Sequence, residues 1–226
     1  MNAMRAMWGA LAFFSGTATA VAAPAVVGYF SKEPAAVFDT KVKPFFATQS
    51  KCPGCEIRNL TPYNSKGEYN PDKLVDAIEA VPQDVSFLFF DWNERSGPKN
   101  KEVLDALNQK ISEGRLLIAS AGVPPTNEGT CPLNRTLMGQ ANDAIIIGEL
   151  VERDLLLAQC YYGPEMLSAI RPPKELMGQG MAPLYFVSRL AGSWNKRKPQ
   201  DWSSYLKARK NKSKRLWPEL EEFFPR

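Results

Sequence analysis

The stretch Val85-Ser86-Phe87-Leu88-Phe89-Phe90 constrains this chain more than any other. A run with so little polar interruption has no face to offer to water. As a strand it must be covered on both sides, which is the situation of a parallel sheet between helices. Its flanks agree. Asn70-Pro71-Asp72 opens a helix, with proline at a tolerated early position, and Leu74, Val75, Ile78 and Val81 fall on one face of it. After the run, Asp91 to Pro98 is a polar loop. Lys99 to Glu113 is a second helix with Val103, Leu104, Leu107 and Ile111 turned inward. Gly114 stops it, and Leu116-Leu117-Ile118-Ala119 is another buried strand. Helix, strand, loop, helix and strand at this spacing predict right-handed parallel crossovers. The expected class is α/β: a three-layer α/β/α arrangement around a mostly parallel sheet.

Other segments extend the pattern. Val26 to Phe30 is consistent with a strand. Residues 35–47 read either as a strand ending at Asp39 or as a helix interrupted at Pro44. Cys55 to Pro62 is strand-like, and Asn64-Ser65-Lys66-Gly67 is a turn. Further strands are expected at Ala144–Gly148 and Leu155–Tyr162. Leu184, Phe186, Val187, Leu190 and Trp194 suit a helix after Pro183. A polar helix around Trp202–Lys210 and an aromatic tail to Phe224 complete the chain. No internal repeat and no interdomain linker is visible, so residues 23–226 read as one domain with a basic C-terminal helical region.

Residues 1–22 read as an export signal. Arg5 supplies positive charge, and Met7 to Phe14 is an apolar run too short to span a bilayer. Ala18-Thr19-Ala20 or Ala20-Val21-Ala22 fits a cleavage site. The expected location is therefore periplasmic or secreted, with no transmembrane anchor after cleavage. At 226 residues, 44% hydrophobic and 23% charged, the rest is an ordinary globular composition. Charge is uneven: from Arg189 onward there are eleven Lys or Arg against four Asp or Glu. The run Lys207, Arg209, Lys210, Lys212, Lys214 and Arg215 can contact an anionic surface. It has no aromatic interleaving, so no nucleic-acid partner is expected; a solvated helix face is the plainer reading.

Four cysteines, Cys52, Cys55, Cys131 and Cys160, favour disulfides in an exported chain. Cys52–Cys55 with Cys131–Cys160 is the first expectation, although sequence does not fix connectivity. Cys52-Pro53-Gly54-Cys55 also has redox spacing, but a strand rather than a helix follows it. Two cysteines without histidine make a poor zinc site, and neither metal nor cofactor is expected.

Several segments, in order, resemble the subtilisin-like serine peptidases (subtilases) over residues 55–207. Glu56–Ala80 resembles that family's strand, glycine turn and helix after the histidine helix. Asp84–Asn93 is similar to the strand leading into the substrate-binding loop. Ser112-Glu113-Gly114 through Ser120-Ala121-Gly122 resembles A/S-x-G-x-x-x-V-x-A-A/S-A-G-N. Ala144–Gly148 matches the strand ending in V-G-A. Tyr161-Tyr162-Gly163-Pro164-Glu165 resembles F-S-x-x-G-P-E, and Ile170-Arg171-Pro172-Pro173 the A-P-G turn that follows. Gly178-Gln179-Gly180-Met181-Ala182-Pro183 stands where G-T-S-M-A-x-P is expected. The resemblance implies a subtilisin-like fold, shortened at its N-terminal side.

The same resemblance implies degenerate catalytic positions. Gly180 occupies the nucleophile's place. Val123 stands where the oxyanion asparagine follows S-A-G, a donor commonly worth about 10²–10³ in rate; Asn127, in Asn127-Glu128-Gly129, resembles a displaced version of it. No segment matches H-G-T-H-V-A-G, and the chain contains no histidine at all. A Ser-His-Asp mechanism needs that imidazole as its base. Asp39 is a relic of the catalytic aspartate in one register. In the preferred register residues 34–47 are the remnant of the histidine helix, and Asp39 is a surface carboxylate. Ser120, Ser168 and Ser188 are other serines without an evident base.

The function expected is that of a non-catalytic subtilase homologue that binds peptide or protein through the former substrate cleft. Trp92, Asn93, Arg95, Ser120, Ala121, Gly122, Asn127 and Gly180 would line it. Trp92 and Arg95 could anchor a partner, or the loop could simply bury one Trp. The alternatives are a thiol–disulfide protein using Cys52 and Cys55, and an envelope-associated protein acting through its basic C-terminal region.

Overall fold

A computed structural model describes residues 23–122, 132–152, 155–156, 161–173, 181–197, 200–216 and 218–225. Its strands are β1 (Val26–Phe30), β2 (Glu56–Asn59), β3 (Phe87–Phe90), β4 (Leu116–Ser120), β5 (Ile145–Glu152), β6 (Leu155–Leu156) and β7 (Met166–Ile170). β2, β1, β3, β4, β5 and β7 lie side by side in that order, each pair parallel. β6 pairs antiparallel with the far end of β5. The expected α/β class is the observed one.

The apolar run is used as its composition demands. Phe87 and Phe89 point to one face of the sheet and Leu88 and Phe90 to the other, because side chains alternate along a strand. All four are buried. The first face is covered by α2 (Lys43–Ser50), α6 (Met181–Ala191), α7 (Asp201–Lys212) and α8 (Leu220–Phe223), through Phe46, Phe186, Leu190, Trp202 and Phe223. The second is covered by α3 (Leu74–Glu79), α4 (Lys101–Ser112) and α5 (Leu137–Gln140), through Ile78, Leu107 and Leu137.

Between β1 and β2 the chain is helical, in three parts: α1 (Ala35–Val37), a π turn at Phe38–Val42, and α2. Pro44 explains the middle part. It has no N–H to give and its ring crowds the carbonyl one turn back. The wider turn shifts the pairing by one residue, so that the Lys43 N–H bonds the Phe38 carbonyl. Asp39 lies exposed on this turn, remote in the chain from either strand end.

One expected strand is corrected and one further strand is found. The strand expected over Leu155–Tyr162 is confined, among the described residues, to the two residues of β6, and its residues 157–160 lie outside them. The strand that extends the parallel sheet is β7, which begins just after Gly163-Pro164-Glu165. Only its sequence Met-Leu-Ser-Ala-Ile marks it, and Ser168 interrupts the apolar run. The interruption is satisfied internally: Ser168 is fully buried, and its hydroxyl donates to the Pro218 carbonyl at 2.7 Å.

Candidate functional site

In a parallel sheet the strands' C-terminal ends, with the loops that leave them, form the usual ligand crevice. Here the ends of β1, β3 and β4 carry Ser31 and Lys32, Asp91 to Glu94, and Ala121 and Gly122. The structure brings Asn93 and the Ser120–Gly122 segment together. The Asn93 amide donates to the Thr136 hydroxyl at 2.9 Å and to the Ala121 carbonyl at 3.4 Å. Its Oδ1 accepts the backbone N–H groups of Glu94 and Met138, at 3.0 and 3.1 Å. Gly122 closes the arrangement. Its φ of +76° is a conformation that favours glycine, and a Cβ there would stand 2.6 Å from the Asn93 carbonyl oxygen.

The segment Pro132–Gln140 clasps this loop. Leu137 N–H bonds the Glu94 carbonyl and Ser96 N–H the Arg135 carbonyl, both at 2.8 Å. Arg95 and Thr136 form an antiparallel bridge. The backbone edge at 94–96 is thus already paired within the chain.

Trp92 is 8% exposed, stacked edge-on against Phe90 with ring centroids 5.6 Å apart. Its indole N–H is buried and has no hydrogen-bond partner among the described residues. Above its ring sits the Lys32 ammonium, 4.4 Å from the Trp92 centroid and 6.0 Å from that of Tyr69. Lys32 also pairs with the Glu94 carboxylate, and Asn100 holds the other Glu94 oxygen at 3.4 Å. Burial, aided by the Glu94 charge, pushes the Tyr69 phenol up to about 12.

Asp91, at the end of β3, accepts from the Tyr29 hydroxyl and from the Ser31 hydroxyl, the latter at 2.7 Å. Burial pushes its carboxyl from 3.8 up to about 6, against the opposing effect of the two hydroxyls. Burial and the Asp91 charge hold the Tyr29 phenol well above its ordinary range. Ser31 is 1% exposed, and its own N–H bonds the Thr61 hydroxyl at 2.9 Å. Sequence reasoning assigned no role to Asp91, Lys32 or Tyr69. Single residues at strand ends and in loops form no pattern; only the sheet order makes them neighbours.

Other expected site residues are elsewhere or undescribed. Gly180, Val123, Asn127, Cys131 and Cys160 lie outside the described residues. Cys52 and Cys55 form a disulfide, with Cα atoms 5.4 Å apart. It follows the C-terminus of α2, where the helix dipole disfavours a thiolate, the reverse of an activating position. Ser120 accepts the Gly122 N–H at 3.1 Å, and the fully buried Ser188 donates to the Leu184 carbonyl at 2.8 Å. The basic run is partly engaged: Lys207 pairs with Asp143, Lys210 donates to the carbonyls of Pro164 and Met166, and Arg215 pairs with Glu219. These lysines border a cavity of about 350 Å³ at the opposite, N-terminal end of the strands. Among the described residues no cluster of His, Cys, Asp or Glu could hold a metal ion. Among them, too, no helix is long and apolar enough to cross a membrane.

Strand order and helices on both faces define a subtilisin-like α/β/α fold. The chain is similar to the patellamide maturation protease, at 13% identity and a TM-score of 0.56, over 80% of this chain and 84% of that one. It is similar to a cold-adapted subtilisin-like serine proteinase, at 11% identity and a TM-score of 0.55, over 81% of each chain. A protease from Pseudoalteromonas arctica matches at 10% identity and a TM-score of 0.56, over 88% of this chain and 85% of that one. At such identities the likeness is one of fold. No protein-family model and no curated protein matches the sequence.

Proposed function

We propose that this chain is an exported, non-catalytic protein of subtilisin-like fold that binds a peptide or protein at the C-terminal ends of β1, β3 and β4. The observation that carries the non-catalytic reading is the absence of histidine from all 226 residues. Serine attack on an amide needs a base to take the hydroxyl proton and return it to the leaving amine. Serine side chains near or behind the crevice give no substitute: Ser31, Ser120 and Ser188 are buried and committed to hydrogen bonds within the chain. Asp91 is a half-buried acid at this end of the sheet, held in place by the Tyr29 and Ser31 hydroxyls.

Binding outlives chemistry here because it uses different groups. The loops at this end of the sheet are rigidly held: Asn93 is fixed by four hydrogen bonds and Gly122 is packed against it. Export rests on Arg5, the Met7–Phe14 run and the alanine-rich stretch after it. The test is covalent labelling. Purified protein treated with a fluorophosphonate should show no serine adduct by intact mass, while a subtilisin control is labelled. An adduct on any serine of this chain would overturn the reading.

A further inference from the structure

The basic C-terminal region contains cations that the chain neutralises and cations that it does not. Lys207, Lys210 and Arg215 have internal partners. Arg197 and Arg209 differ: among the described residues neither meets a carboxylate, and both are gathered on one aromatic ring. The Arg197 guanidinium carbon lies 3.5 Å from the Tyr205 centroid and 5.5 Å from that of Trp202. The Arg209 guanidinium carbon lies 5.2 Å from the Tyr205 centroid, and its Nε donates to the Tyr205 hydroxyl at 3.1 Å. That hydroxyl donates in turn to the Phe223 carbonyl at 3.0 Å, and Trp202 is buried. The platform under the two cations is therefore tied to the core. Lys212 falls on the same face of α7 as Arg209, exposed and without a partner among the described residues.

Helix electrostatics accounts for only part of this. Positive charge suits the last turn of a helix, where Arg209 and Lys212 stand. Arg197 comes before α7, on the side of the dipole's positive end, where a cation is disfavoured. Its stacking also brings it to a second cation, an approach that repulsion opposes unless an anion offsets it. Stacking occupies the flat face of a guanidinium and leaves its edge donors free. Tyr205 takes the Arg209 Nε–H and leaves the terminal nitrogens unspent. Two guanidinium groups held this way match the chemistry by which arginine grips a phosphate. We infer that Arg197 and Arg209, stacked on Tyr205 and flanked by Lys212, form a binding site for a phosphate oxyanion, carried by a free phosphate or by a phospholipid headgroup. The site is independent of peptide binding at the crevice.

The test follows the arginine Nε–H signals of the purified protein by NMR at fixed ionic strength, assigned through Arg197→Gln and Arg209→Gln. Inorganic phosphate should shift the Arg197 and Arg209 signals along one saturation curve. Nitrate, with a single charge to share between two guanidinium groups, should not saturate them. Equal saturation by nitrate, or none by phosphate, overturns the site. Each glutamine variant should weaken phosphate binding about tenfold, as expected for the loss of a charge-assisted contact. Arg197→Lys keeps the charge and most of the stem, so folding is preserved, yet it should still weaken binding about threefold, because an ammonium presents no fork. Lys66→Gln removes the same charge from a distant exposed turn and should change nothing; an equal loss there overturns the site in favour of diffuse attraction. Vesicles of phosphatidylglycerol separate the two sources. Retention that is abolished by both glutamine variants and by added phosphate assigns the oxyanion to a lipid headgroup. Saturation by phosphate without vesicle retention assigns it to a free phosphate. Vesicle retention that persists in both glutamine variants overturns the lipid assignment.

Discussion

Asp91 shows how much one residue's surroundings decide. In the sequence it is an acidic residue opening a polar loop. In the fold it is a half-buried residue whose carboxyl lies between two hydroxyls, raised to about 6 from 3.8. The native state therefore holds a proton that the unfolded chain releases at lower pH. Stability contributed by this group is present below about pH 4 and is lost as pH rises through 6. The loss is at most about 3 kcal/mol, from roughly 1.4 kcal/mol per pKa unit. Thermal unfolding from pH 4 to 7.5 should show it, and Asp91→Asn should flatten that part of the profile. Gly122 makes the opposite point, of a residue whose lack of a side chain is the requirement. Gly122→Ala adds a methyl against the Asn93 backbone at a positive φ, and should cost about 1–3 kcal/mol in urea unfolding. Val at 123 and Gly at 180 are read from sequence order alone, since both lie outside the described residues.

At the scale of elements, periodicity predicted most of what is found. α3, α4, β3 and β4 arise where apolar residues recur with helical or continuous strand spacing. The helix between β1 and β2 was ambiguous because Pro44 breaks the pattern, and the π turn is the backbone's answer to that proline. β7 went unread because five residues with a serine among them carry too little pattern. Its place is decided by the vacant edge of β5 and by Pro218, which accepts the serine's hydrogen bond. A contact between elements makes a further prediction. Lys210, on α7, reaches the carbonyls of Pro164 and Met166 at the start of β7. Lys210→Met should loosen that corner, costing about 1–2 kcal/mol by leaving those acceptors without their donor. Urea unfolding checks it. The neighbours of the two undescribed cysteines supply another. Pro132 is bridged to Tyr162, which brings the chain beside Cys131 close to the chain beside Cys160. Non-reducing peptide mapping should recover a 131–160 linked pair along with Cys52–Cys55; free thiols at both positions would refute it.

For the whole molecule, the proposed non-catalytic reading places the loss at several positions at once. Restoring one group does not restore a mechanism whose members act as a unit. Gly180→Ser should therefore leave peptide hydrolysis at the buffer rate, and measurable turnover by that variant would contradict the non-catalytic reading. The basic C-terminal region is a separate matter. Lys207, Lys210 and Arg215 have partners within the chain, so charge reversal there would also disturb packing. A change confined to Lys212 and Lys214 is the cleaner probe of contact with an anionic surface.

The layer architecture is legible in the amino-acid order, because an apolar run flanked by amphipathic helices can be buried in few other ways. The sequence by itself also determined that no imidazole is available, since composition does not depend on folding. Tertiary structure alone decided which loop residues meet. Lys32, Tyr69, Trp92 and Glu94 are up to 62 positions apart in the chain, and they meet because β2, β1 and β3 are neighbours in the sheet. Such proximity comes from strand order and register, which are set by packing over the whole core and leave no local trace in the residues they bring together.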